Sequence, residues 1–405
     1  MRSWFLICLV AILSCTRTTQ ELPTGSWRGV IAMQGKELPF GLEITQSASG
    51  YQAYLLNADE RILLDEVFVE GDSVRMNLHV FDAALVARRN GTQLTGAFVK
   101  NYAPSGNLPF EATYGETYRF TRDSSASVDF SGTFGVTFHV SDTVHYPAVA
   151  MIQQEGNDVI GTFLTPTGDY RYLQGNVVND ELHLSAFDGN HAFVFTATLS
   201  GDSIRGNFYS GKSGFETWAG ARDSQAALPD AESLTFLKPG YDKLSFSFPD
   251  LTGKPVTLED ARFKNKVVIL QILGTWCPNC MDETKFLAPW YEQNKDRGVE
   301  ILGLAYERKP DFDYAKERVE KMKAKWNVGY DFVIAGVNDK AKASETLPAL
   351  NRVLAFPTTI FIGKDGQVKH IHTGFSGPGT GIHYERFQER FDQIVNELLA
   401  AKNPS

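Results

Sequence analysis

The hydrophobic rhythm of the chain changes past its midpoint. From about residue 25 to 225, apolar and polar positions alternate in short runs such as Leu42-Glu43-Ile44, Val74-Arg75-Met76-Asn77-Leu78 and Leu182-His183-Leu184. Gly, Asn and Asp separate the runs, and period-two alternation between turn residues predicts antiparallel sheet. Further on the apolar runs become continuous. KVVILQIL (266–273) and VEILGLAYE (299–307) predict strands covered on both faces. DYAKERVEKMKAKW (313–326) predicts an amphipathic helix, and YDFVIAG (330–336) a further strand. TTIFIGKDGQVKHI (358–371) predicts a hairpin turning at Lys364-Asp365-Gly366. YERFQERFDQIVNELLAA (384–401) predicts a closing helix, with Phe387, Phe391, Ile394, Val395 and Leu398 at helical spacing. The fold class expected is therefore multidomain: an N-terminal all-β region followed by a C-terminal α/β domain.

The β-rich half repeats itself. GDSVRMNLHVFD (71–82) lies over VVNDELHLSAFD (177–188), and GTQLTGAFVKN (91–101) over GDSIRGNFYSG (201–211). The second alignment pairs Gly96 with Gly206 and Phe98 with Phe208. Two related β units follow, about 25–120 and 131–222, each the size of a small barrel or sandwich. Their aromatics and glycines read as core and turns. His79, His139, His145, His183 and His191 are scattered and read as surface or satisfied core groups, with no constellation that suggests chemistry. Residues 226–242, punctuated by Pro229, Pro239 and Gly240, read as a linker to a domain over 243–402.

The first stretch, MRSWFLICLVAILSC, has a basic residue at Arg2 and an apolar run too short to span a bilayer. Its end, Ile12-Leu13-Ser14-Cys15, resembles a bacterial lipobox. That resemblance implies a signal peptide at 1–14, lipidation of Cys15, a tether at 15–24 and a lipid-anchored body in the oxidising periplasm or cell envelope. The remaining composition is that of globular protein, 43% hydrophobic and 21% charged. A net charge of −9 with no basic run argues against broad nucleic-acid binding.

Four cysteines are present. Cys8 would leave with the signal and Cys15 would carry lipid, so Cys277 and Cys280 of GTWCPNC (274–280) remain. They could form a structural bridge, half of a metal site or a redox dithiol. A bridge across two residues constrains little of the unfolded chain, which weakens the first reading. Proline is favoured at the first helical position, so Pro278 places Cys277 at a helix N-cap. Free backbone N–H groups and the positive end of the helix dipole favour its thiolate there. Cys277 is the expected nucleophile, and Cys280, one turn along the same face, the resolving thiol. Glu283 continues that face and would either carry the exchange proton or pair on the helix surface with Lys285. His370 and His372 alternate on one strand face and keep a copper or zinc metallochaperone open as the alternative.

Strand–WCxxC–helix, followed about 80 residues later by Phe356-Pro357-Thr358-Thr359-Ile360, resembles the thioredoxin fold. More narrowly it resembles the TlpA/ResA group of exported thiol–disulfide oxidoreductases. Gly253-Lys254, Val256-Thr257-Leu258, Lys266-Val267-Val268 and Glu283 support this over about 243–402. The resemblance implies disulfide exchange at Cys277 and Cys280 with Glu283 in the active site and no cofactor beyond the two sulfurs. It implies a cis bond before Pro357 and substrate docking at Trp276, Phe356 and Pro357. It also implies reduction of protein disulfides, with electrons arriving from a membrane thiol transporter. Cytosolic thioredoxin carries a buried aspartate six residues before the first cysteine. This chain has Gln271, which cannot titrate, so proton work falls to Glu283 or water.

Overall fold

The computed structural model describes residues 21–402 except Ser124. Residues 1–14 and Cys15, read above as signal and lipidation site, lie outside the described residues.

Each half of the β-rich region is a nine-stranded antiparallel meander with its strands in the same succession. The first runs from Gly25–Met33 to Leu108–Tyr114, and the second from Gly132–His139 to Gly214–Arg222. The aligned repeat segments fall on matching strands: Ser73–Leu78 on Glu181–Phe187, and Gln93–Lys100 on Ser203–Ser210. The paired glycines have one cause. A Cβ at Gly96 would sit 2.0 Å from the Val86 carbonyl oxygen, and one at Gly206 2.2 Å from that of Thr196. Both positions press against the preceding strand, and two residues on Phe98 and Phe208 fill the two cores.

Closure differs between the units. In the second, Gly132–His139 pairs with both His145–Glu155 and Gly214–Arg222, and Asp158–Thr165 pairs with both His145–Glu155 and Leu173–Val178. The strands form a closed ring around Phe134, Phe138, Phe163, Phe195 and Trp218. In the first, the chain at Leu64-Asp65 spans the seam, Leu64 bonding back to Ala53 on one side and Asp65 to Asn77 on the other, both 2.9 Å.

The C-terminal domain has a five-stranded sheet in the order 331–337, 299–307, 267–273, 358–362, 368–373. The first three strands are parallel, and the hairpin joins antiparallel to the central strand. Val267–Leu273 is buried along its whole length, as its unbroken apolar run requires. Helices Pro278–Asn294, Phe312–Trp326 and Ile382–Ala400 accompany the sheet.

The 226–242 linker reading needs correction. Residues 231–238 are built into the C-terminal domain. Glu232 accepts bonds from Arg390 (2.7 Å) and pairs with His370 (2.9 Å), Thr235 meets Thr373 at 2.9 Å, and Leu237 bridges Leu350. Proline and glycine mark turns there, but these side chains gain partners more than 110 residues away. Among the described residues, no helix is long and apolar enough to cross a membrane.

Candidate redox site

The central strand ends at Leu273, and GTWC turns directly into the helix Pro278–Asn294. Buried Glu307 fixes that turn, accepting the Thr275 backbone N–H and hydroxyl, each at 2.8 Å. Burial raises its pKa, against the pull of those two bonds. Trp276 donates its indole N–H to the Tyr306 carbonyl at 2.8 Å and packs edge-on against Phe356, 5.5 Å between rings.

Both thiols are free. Cys277 is the helix N-cap and Pro278 opens the first turn. The Cys277 sulfur accepts the Cys280 backbone N–H at 3.3 Å and donates to the Phe356 carbonyl at 3.2 Å. The Phe356–Pro357 peptide bond is cis. Cys277 is 7% exposed and Cys280 fully enclosed. Burial, together with hydrogen bonding to Cys277, pushes the Cys280 thiol well above its ordinary range. The pair is therefore asymmetric: one sulfur capped by amide N–H at a cleft, the other held as a thiol beneath it.

Glu283 is not on the helix surface. It is fully buried on the sheet side and accepts Gln271 Nε2 at 2.8 Å and the Thr359 hydroxyl. Gln271 in turn accepts the Tyr330 hydroxyl at 2.9 Å. Lys285, the surface partner considered for Glu283, pairs with Asp282 instead. Desolvation raises the Glu283 pKa to about 7, while Thr359 and Gln271 hold it down. A carboxyl that titrates near neutrality, one turn below a buried thiol, suits proton exchange. Gln271 cannot titrate, but it orients the group that does.

His370 and His372 take other partners. His370 pairs with Glu232, and His372 packs on Phe387 at 5.1 Å between rings, its pKa lowered by burial to about 4. Among the described residues, no three His, Cys, Asp or Glu side chains gather as metal ligands.

The β-rich half reaches the site, contrary to the reading that it holds no chemical constellation. The turn after Asp158–Thr165 lies against the start of the active-site helix. Asn279, between the two sulfurs, donates to the Asp169 carbonyl at 3.1 Å. Buried Arg171 donates to the Pro278 carbonyl at 3.2 Å and pairs with Asp282, Glu60 and Asp188. Cys277, Trp276 and Phe356 share a cleft of about 260 Å³ with Thr167, Tyr170 and His191 of the second unit and Lys340 of the C-terminal domain. Sequence reasoning missed Arg171, Asp169, His191 and Lys340, because nothing local marks residues that packing alone unites. Glu307 did carry a signal, an acid ending a continuous apolar strand.

The Redoxin family matches residues 227–383. The thiol-disulfide oxidoreductase ResA of one Bacillus cereus strain is 30% identical over 144 residues, which cover 36% of this chain and 73% of that protein. This chain belongs to the TlpA/ResA-like thioredoxin-fold family. ResA of Bacillus thuringiensis subsp. konkukian is 33% identical over 129 residues, 32% of this chain and 66% of its own length. The ResA-like match thus spans about two thirds of that relative. Among solved structures, a thioredoxin-family thiol:disulfide interchange protein from Chlorobium tepidum TLS is 20% identical, covering 39% of this chain and 96% of that one, with a TM-score of 0.31.

Proposed function

We propose that this ResA-like chain reduces protein disulfides outside the cytosol. The observation that carries the reading is the asymmetric dithiol, with Cys277 capping the helix beside the cis Phe356–Pro357 bond and Cys280 enclosed above Glu283. The Cys277 thiolate attacks one sulfur of a substrate disulfide. That S–S bond breaks, a mixed disulfide forms, and the first substrate sulfur leaves as thiolate. Cys280 then passes its proton toward Glu283 and attacks the Cys277 sulfur. The second substrate sulfur leaves as thiolate, and two electrons have moved from the chain to the substrate. The Cys277–Cys280 disulfide must then be reduced, for which we propose a membrane thiol transporter.

Trp276, Phe356 and Pro357 are the proposed docking surface, with the Phe356–Pro357 backbone pairing to an extended substrate chain. The basic start, short apolar run and Cys15 of MRSWFLICLVAILSC support a lipid-anchored place in the periplasm or cell envelope. Insulin reduction tests the activity: wild type should reduce it, and Cys277→Ser should fall to the uncatalysed background. Activity retained in Cys277→Ser would end this reading. The potential of the pair tests direction, near about −270 mV for a reductant and about −120 mV for an oxidant.

A further inference from the structure

The cleft above Cys277 is built by two parts of the chain. One wall is the ResA-like surface of Trp276 and Phe356. The facing wall is the second β unit, through Thr165, Thr167, Gly168, Tyr170, His191 and Phe193. This wall is fixed in place. Besides the Asn279 and Arg171 contacts, the Gly377 N–H donates to the Asp169 carboxylate at 2.7 Å. Backbones meet directly: a Cβ at Gly374 would lie 3.0 Å from the Thr167 carbonyl carbon. A Cβ at Gly168 would lie 2.2 Å from Asn279 Nδ2. With Cys277 only 7% exposed and about 260 Å³ of space before it, a disulfide must be carried in on a narrow, flexible segment. A folded surface meets the barrel wall first.

The cleft also has a sign. Its acids are engaged within the protein: the Asp169 carboxylate accepts the Arg171 and Gly377 backbone N–H groups, and Asp188 behind the wall holds His191 at 3.0 Å and Arg171 at 3.8 Å. Lys340, first residue of the helix Lys340–Thr346, has no ion pair or side-chain hydrogen bond among the described residues. Lys340 is an exposed residue that lines the cleft with Cys277, and burial of its side chain lowers its pKa. Arg352, the other charge nearby, is also positive. An uncompensated cation beside a reacting sulfur attracts a negative group on the incoming chain.

Building on the exchange reaction above, we propose that the second β unit is the substrate-selecting wall of the redox cleft. The cleft admits a flexible disulfide-bearing segment with a carboxylate next to its cysteine, and Lys340 reads that charge. The carboxylate can belong to an acidic residue of an unfolded polypeptide or to a small disulfide such as glutathione disulfide.

The test uses the full chain and disulfide-linked peptides Ac-Xaa-Cys-Gly-NH2 with Xaa Glu, Gln or Lys, alongside glutathione disulfide. kcat/KM should fall in the order Glu, Gln, Lys, by roughly tenfold between the extremes at low salt. Lys340→Met should bring the Glu-to-Lys ratio to within about twofold, and Lys340→Arg should keep it. The ratio cancels any change in Cys277 reactivity common to all peptides. Thr167→Trp, which fills the wall side, should slow every peptide by tenfold or more and alkylation of Cys277 by iodoacetamide by less than twofold. A faster Glu peptide than glutathione disulfide identifies the polypeptide source, and the reverse the small one. No charge preference in wild type, or one that survives Lys340→Met, overturns the Lys340 assignment; Thr167→Trp without effect overturns the wall. If no disulfide reacts while Cys277 is still alkylated, the exchange reading fails and this proposal with it.

Discussion

The two β units share one succession of strands and part company in how they hold the redox domain. The first shares an apolar core with it: a single buried cluster runs from Trp27, Phe40 and Leu78 to Met281 and Leu304. The second lends that cluster Phe187, Ala192 and Val194, keeps its own aromatic core, Phe134 to Trp218, and meets the active-site helix through Arg171, Asp169 and Asn279. The first adds Arg318 contacts to His79 and Asp82 beside its apolar core. Apolar burial is non-directional and suits a support. Buried charge is costly unless each group finds its partner at one geometry, so it fixes position. A repeated fold has thus been put to two uses: one copy braces the domain, and the other sets a wall beside its cleft.

The largest expected effect comes from breaking the charged dock. Arg171→Met leaves buried Glu60 without a cation, and Asp282 and Asp188 with only Lys285 and His191, and should cost about 3–5 kcal/mol of stability, read by urea unfolding. A loss under about 1 kcal/mol would show that the second unit does not depend on this cluster.

Glu283 separates the wall from the chemistry, because its loss should slow every substrate alike. Glu283→Gln should lower the rate at pH 7 by about 10²-fold. The same variant has a stability signature. The Glu283 pKa rises from an ordinary 4.5 to about 7 on folding, so the folded state favours the protonated form. The stability that this gives is full below about pH 4.5 and is lost as pH climbs through 7. Unfolding free energy compared at pH 5 and pH 8 should fall less in Glu283→Gln than in wild type. A substrate-dependent defect in this variant would place Glu283 with the wall instead.

A smaller effect is expected of Thr359→Val, which removes a donor to the ionised Glu283. It should move the acid limb of the pH–rate profile, where Glu283 must lose its proton to act as base, upward by about one unit or less. The smallest belongs to the first unit. Lys325→Met removes a partly exposed pair with Asp65 at 2.7 Å and should change stability by under about 1 kcal/mol. A larger loss would mean that the brace depends on this pair as well as on its apolar core.

The sequence disclosed whatever local spacing encodes. Pro278 and the strand before it placed Cys277 at a helix cap, three-residue steps put Cys280 and Glu283 on one face, and the paired glycines marked the repeat. Burial along a helix face was less visible: Glu283 could have faced water with Lys285 until the Gln271–Tyr330 network enclosed it. The composite cleft was hidden altogether. Arg171 reads as one more arginine in a turn, and its partners Glu60 and Asp282 lie 111 residues away on either side.

The central claim is that Cys277 attacks and Cys280 resolves beneath it. The most direct measurement is trapping: Cys280→Ala is mixed with a disulfide peptide, quenched with acid, digested and weighed by mass spectrometry. The account predicts a stable mixed disulfide on Cys277, released by dithiothreitol, with Cys277→Ser forming no such adduct on Cys280 at a comparable rate. Equal trapping on Cys280 in Cys277→Ser, or none on Cys277 in Cys280→Ala, would contradict it.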